Sequence, residues 1–106
     1  MNGFDVQKQI REQVRWLILA TLDIARPMGA NEDMVLSAIN AVPVQITRHE
    51  LRKEMGYLET RGLISIEGKS DPSRKWFANL TRAGIDVVEY TVECDPGIAR
   101  PPKWWD

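Results

Sequence analysis

Two short stretches of this chain concentrate side chains that can hold phosphate groups or hydrogen-bond to the edges of nucleic-acid bases. They lie in residues 45–53 and 68–75, and the side chains are Gln45, Thr47, Arg48, His49, Arg52, Lys53, Lys69, Arg74 and Lys75. Lysine and arginine neutralise phosphate, and Arg, Gln, Thr and His can reach base edges from a helix in the major groove. These residue types predict binding of double-stranded DNA if the fold brings the two stretches onto one surface.

The distribution of charge is more informative than the total. The net charge is −1, which gives no general attraction to nucleic acid. Residues 45–84, however, carry eight basic and five acidic side chains, whereas the rest of the chain carries six basic and ten acidic ones. Binding of nucleic acid depends on the local potential, and the region that holds the candidate contacts has a net positive charge, which favours such binding.

The first stretch begins a helix. Thr47 and Glu50 have the spacing of a capping box, in which each side chain bonds to the backbone amide of the other residue. The next apolar residues follow at spacings of four and three and form one buried stripe: Leu51, Met55 and Leu58. Gly62 lies where a left-handed residue would end the helix. These features predict a helix over 47–61. Its exposed face would consist of His49, Lys53, Gly56 and Thr60.

The second stretch is the turn of a β-hairpin. Residues 63–66 and 75–80 alternate between apolar and polar types, and a polar turn containing a proline separates them. A helix followed directly by a hairpin is the second half of a winged helix-turn-helix. In that arrangement helix 47–61 enters the major groove, and the wing, residues 68–75, lies on the sugar-phosphate backbone with an arginine near the minor groove.

Three further helices are predicted over 5–25, 31–42 and 81–88, the last extending as far as Val92. Each begins at a residue that can cap a helix: Asp5, Asn31 and Thr81. Residues 87–92 are also good strand sequence, and helix is the preferred interpretation. The fold class is therefore α+β, mainly α: a winged helix-turn-helix with a three-helix core, a two-stranded hairpin wing and a C-terminal helix.

The first helix has more apolar surface than one stripe requires. Its second half is apolar on all sides, through residues 16–22, and such a helix is normally covered all round. Either the C-terminal tail, residues 95–106, or a second subunit could cover it. Trp104 and Trp105 in the tail also need a surface to pack against. We therefore expect a homodimer held through the first helix, the last helix and this tail.

Several classes of function are disfavoured by the residues themselves. Cys94 and His49 are the only cysteine and the only histidine, so neither an internal disulfide nor a structural zinc site is expected. Residues 16–22 are too short to span a bilayer. No phosphate-binding loop or nucleophile motif is present, so we expect a cytoplasmic, non-enzymatic protein without a cofactor. The whole chain, 1–106, is interpreted as one domain with its core at 5–92.

Competing interpretations remain for the same residues. A charged helix and a charged loop are often only solvated surface. The near-neutral total charge, together with Glu50, Glu54 and Glu59 on helix 47–61, favours a protein-interaction module instead of a DNA-binding one. Gly56 lies in the middle of a helix, where it could admit a phosphate or a neighbouring backbone, or could allow close packing of another helix.

The order of these motifs resembles that of the winged-helix transcriptional regulators of the MarR and PadR type. Residues 58–64, LETRGLI, are similar to the family's helix-to-wing junction. Asp71 with Arg74, and then residues 80–84, LTRAG, are similar to its wing and wing-to-helix junction, and residues 73–77, SRKWF, resemble the PadR wing. The resemblance implies a homodimeric DNA-binding protein, often a repressor, although the chain lacks the long terminal dimerisation helices of MarR proteins and the glycine-tyrosine motif of PadR proteins.

Overall fold

The computed structural model describes residues 5–105, which form four helices and a small sheet. In chain order the elements are α1 (Val6–Ile24), β1 (Ala30–Asn31), α2 (Glu32–Asn40), α3 (Arg48–Thr60), β2 (Ile64–Glu67), β3 (Phe77–Leu80) and α4 (Arg82–Val88). This is a winged helix, as predicted. Within the described range no helix is both long enough and apolar enough to cross a membrane.

The helices begin at the predicted caps. Asp5, Asn31, Thr47 and Thr81 each accept a hydrogen bond from a backbone amide three residues ahead. At Thr47 the capping box is complete, because the Glu50 carboxylate also accepts from the Thr47 amide at 2.8 Å. The start of α3 is therefore set by local sequence.

The sheet has three antiparallel strands in the order β1-β3-β2, whereas the sequence predicted only the two strands of the wing. The additional strand pairs Ala30 with Ala78 and Asn31 with Phe77. It was missed because two residues cannot display an alternating pattern. Gly29, at φ +77°, provides the turn that leads into it.

The core lies where α1, α2 and α3 meet beneath the sheet. Its most completely buried apolar side chains are Ile18, Leu19, Leu22, Val35, Ile39, Leu51, Met55, Leu58 and Ile64. The predicted stripe of α3 is among them, so the opposite face of that helix is directed outward.

The C-terminal residues fold back onto α1. Helix α4 ends at Val88, and the chain reverses at Tyr90, which has a φ of +60°. The returning segment, residues 94–101, is called the strap below. Ile98 of the strap is buried against the core, and the Ala99 amide donates to the Glu12 carbonyl oxygen at 3.1 Å. The C-terminal tail therefore covers part of the apolar surface of α1. The tail was one of the two covers that the sequence allowed, the other being a second subunit.

Candidate nucleic-acid interface

The outward face of α3 consists of the residues predicted from the sequence. His49, Lys53 and Thr60 are exposed, and Gly56 lies between them. A Cβ atom added to Gly56 would meet no atom of the described chain within 4 Å. The face is thus an open ridge, available to a partner.

One edge of this ridge is fixed by a carboxylate at the start of α2. Glu32 is fully buried, and its two oxygens accept from Nε and Nη2 of Arg52 at 2.7 and 2.6 Å. The Trp76 amide, just before β3, donates to the same carboxylate at 2.7 Å, and the Arg52 guanidinium lies 4.6 Å from the Trp76 ring centre. Two-point arginine pairing is both strong and directional. Glu32 therefore fixes α2, α3 and the base of the wing relative to one another.

A second carboxylate joins a cation of α3 to a cation of the wing. Asp33 lies 2.6 Å from Nη1 of Arg48 through one oxygen and 2.9 Å from Nζ of Lys75 through the other. The close approach of Lys75, followed by that of Arg48, lowers the pKa of Asp33. Arg48 also lies 3.5 Å from Glu32. Arg48, Arg52 and Lys75 are therefore gathered in one place, and each has an acidic partner on α2.

The remaining wing cations differ in their surroundings. Lys69 donates to Glu59 of α3 at 2.6 Å, which ties the wing to that helix. The turn itself is ordered by Asp71, whose carboxylate accepts from the Ser73 amide and hydroxyl at 2.9 and 2.7 Å. Arg74 follows this turn, is exposed, and makes no ion pair within residues 5–105. It is the wing cation most accessible to a phosphate.

The other two candidates support the connection between α2 and α3. Gln45 donates to the Asn40 carbonyl oxygen at 3.1 Å, and the hydroxyl and amide of Thr47 are used by the capping box. Both residues are exposed, but their polar groups already have partners. The structure therefore places Gln45 and Thr47 beside the ridge, with His49 and Lys53 on it.

Sequence reasoning missed the acidic partners. Glu32 and Asp33 lie on α2, and nothing in the pattern of α3 indicated that Arg48 and Arg52 would pair with them. The available signal was a Glu-Asp pair at a helix start together with a tryptophan after a basic wing. A pair 20 residues apart cannot be inferred from helical spacing.

The sequence matches no protein-family model and no curated protein. Among solved structures, a mutant of MepR from S. aureus, a MarR-family winged-helix regulator, is similar with a TM-score of 0.57 and 16% sequence identity. The alignment covers 80% of this chain and 67% of the MepR chain. The fold that the resemblance implied, a winged helix, is thus confirmed.

Proposed function

We propose that this chain is a regulator of transcription that binds double-stranded DNA, with α3 in the major groove and the wing, residues 68–75, on the backbone. The observation that carries the proposal is the pairing of Arg48 from α3 and Lys75 from the wing with the same carboxylate, Asp33. Cations from the two elements therefore occupy one surface. That convergence is what a winged helix needs in order to engage a groove and the adjoining phosphates together.

Individual roles are assigned from the polar groups of each side chain that are not already used in contacts within the protein. His49 and Lys53 stand on the open ridge, and we assign His49 to base edges and Lys53 to a phosphate. Arg52 uses Nε and Nη2 for Glu32, so a base contact would use its Nη1 group. Arg48, also assigned to bases, would exchange Asp33 for DNA. Lys69, Arg74 and Lys75 are assigned to phosphates.

The test is the salt dependence of binding to a pool of random duplexes, followed by fluorescence anisotropy. Each neutralised phosphate contributes about −0.9 to the log-log slope of affinity against salt. Arg74→Ala should make the slope shallower by roughly one unit. Arg26→Ala, which removes one positive charge from the turn after α1, is the matched control and should leave the slope unchanged. An unchanged slope in Arg74→Ala removes Arg74 from the interface, and a wild-type chain that binds no duplex at low salt contradicts the function.

We further propose that the protein acts as a homodimer through α1, α4 and the tail. Even with the strap in place, Ile24 is 87% exposed and Trp104 is 85% exposed, which is unusual for large apolar side chains in so short a chain. Sedimentation should give the mass of a dimer. A monomer at high concentration contradicts this assignment and leaves DNA binding to be judged separately.

A second candidate function is that of a protein-interaction module, and the exposure of Trp104 favours it. Trp104 packs only its edge against Trp105, whose ring in turn meets Tyr90 at 4.7 Å. A gel shift on random duplex at low salt and a pull-down with residues 102–106 deleted separate the two functions. DNA binding that survives the deletion supports the regulator, whereas a deletion-sensitive protein partner without any gel shift supports the module.

A further inference from the structure

A groove runs along the side of α3 that faces away from the wing. Helix α1 forms its other wall, and cations line both walls: Arg11, Arg15, Lys53 and Arg61. Gly56 and Thr60 from the outward ridge of α3 border the same groove. The groove is therefore continuous with the proposed DNA-binding face, and of its four cations only Lys53 was among the contacts predicted from the sequence.

Two of the four cations are already neutralised. Arg15 donates to the buried carboxylate of Glu54 at 2.8 Å, and Arg61 pairs with Asp95 of the strap. Arg11 and Lys53 are exposed, and neither has an ion-pair partner among residues 5–105. Two uncompensated positive charges thus face the open side of the groove.

A nearby acid offsets part of these charges. Glu50 borders the neighbouring depression together with Arg11 and Lys53. Its carboxylate accepts from the Thr47 amide, and this bond and the charge of Lys53 lower the pKa of Glu50. The groove itself is lined by four cations and one acid, Glu54, and therefore keeps a positive character.

Gly56 is the second observation that points to a partner. Glycine destabilises the interior of a helix relative to alanine, so its presence there needs a reason. Of the two reasons considered from the sequence, close packing of another helix does not apply within the described chain, because a Cβ at this position would meet nothing within 4 Å. A contact from outside the chain remains. A flat surface between two free cations suits a phosphodiester backbone that must approach the helix closely.

We propose that this groove is a second backbone site, in which Arg11 and Lys53 hold phosphates of one DNA strand while Gly56 admits the strand against α3. The inference rests on the proposed function, and it extends the DNA-binding surface from the wing, across α3, to α1. DNA would then be held on both sides of the recognition helix, with Arg74 on one side and Arg11 on the other.

The test compares variants in the same salt titration. Arg11→Gln should reduce the magnitude of the log-log slope by about 0.9, so that the ratio of wild-type to variant affinity changes about 3.5-fold between roughly 50 and 200 mM salt. Arg26→Gln removes the same charge from the turn after α1, outside both the groove and the tail, and should leave the slope unchanged. Equal flattening by both variants would mean a general effect of net charge and would overturn the groove site.

Gly56→Ala supplies a readout that a purely structural role would not give. The urea midpoint should rise, because alanine favours the helix and meets no neighbour, while affinity for duplex falls. Unchanged or tighter binding overturns the role of Gly56. If Arg74→Ala flattens the slope but the Arg11 and Gly56 variants behave as wild type, the groove site fails and the regulator stands. If the wild-type chain binds no duplex, both proposals fail.

Discussion

The two flanks of α3 are built to a similar plan, and the comparison shows how one helix is held from both sides. Each flank has a buried glutamate, an arginine paired with it, and an aromatic ring beneath the guanidinium. On the wing flank these are Glu32, Arg52 and Trp76; on the strap flank they are Glu54, Arg15 and Tyr57. The repeated plan indicates that α3 is positioned by buried charge on both sides as well as by its apolar stripe.

The flanks differ in how completely the glutamate is satisfied. Glu32 accepts three hydrogen bonds, two from Arg52 and one from the Trp76 amide. Glu54 accepts one from Arg15, whose Nη1 donates instead to the Gly97 carbonyl oxygen of the strap at 2.8 Å. The wing flank is thus a direct three-way connection between α2, α3 and the wing. On the strap flank, Arg15 of α1 bonds both to Glu54 of α3 and to Gly97 of the strap.

The largest expected effect follows from Glu32→Gln. The change weakens two charged hydrogen bonds from Arg52, which contribute about 1.5–3 kcal/mol each. Because the Arg52 side chain is 35% exposed, water offsets part of the loss, and about 3 kcal/mol is expected. Urea denaturation should show a loss of that size. Glu67→Gln, at an exposed position in β2, is the control and should stay within about 0.5 kcal/mol of wild type. A loss of less than about 1 kcal/mol for Glu32→Gln would show that the connection to the wing does not depend on this pair.

Glu54→Gln should have a smaller effect on the free energy of unfolding. It removes a single charged hydrogen bond, and such bonds contribute about 1.5–3 kcal/mol. The same urea experiment measures it, ideally with Arg15→Gln in a double-mutant cycle. A loss equal to that of Glu32→Gln would contradict the difference drawn here between the two flanks.

Lowering the pH should weaken the wing flank gradually. The bonds from Arg52, with that from the Trp76 amide, hold the pKa of Glu32 below its usual value. A carboxylate with a lowered pKa in the folded state contributes its full stabilisation above the unfolded value of about 4.3, and loses it as pH falls through the lower, folded value. The difference in urea midpoint between wild type and Glu32→Gln should therefore shrink below about pH 4.3. A difference that stays constant down to pH 2 would contradict the assignment.

The smallest effect is expected at the rim of the wing flank. Lys69 and Glu59 form a partly exposed pair, and such pairs contribute about 0.2–1 kcal/mol. Lys69→Ala should lower stability by no more than this, and the loss should diminish in high salt. A loss comparable to that at Glu32 would mean that the wing is held mainly from its outer edge.

The parts of the fold that depend on local sequence were predicted closely. The capping box at Thr47 and the glycine at position 62 bound α3, and the predicted stripe is the buried one. The strand at Ala30 was not foreseen, because its only information is a backbone pairing with Ala78 across the sheet. Sequence patterns within a few residues predict helices and strands well, but they do not show which distant segments pair in a sheet.

In the candidate interface too, the features set by local sequence were predicted and those set by long-range packing were not. His49 and Lys53 were placed on the outward face by helical geometry alone, and the structure puts them there. The partners of Arg48 and Arg52 come from α2 and depend on how two helices pack, which spacing along one helix cannot give. The cover of α1 was similarly undetermined, because an apolar surface attracts a strap and a second subunit by the same physical effect.

Strand β3 is bonded along both of its edges, to β1 on one side and to β2 on the other. The strands of the wing are therefore part of the three-stranded sheet, and only the tip, residues 68–75, extends beyond it. Lys69 and Lys75 anchor the two ends of this tip to α3 and α2, which leaves residues 70–74 between them. If the chain binds DNA as proposed, exchanges within 70–74 would alter the DNA contacts of the wing while the anchors and the sheet stay in place.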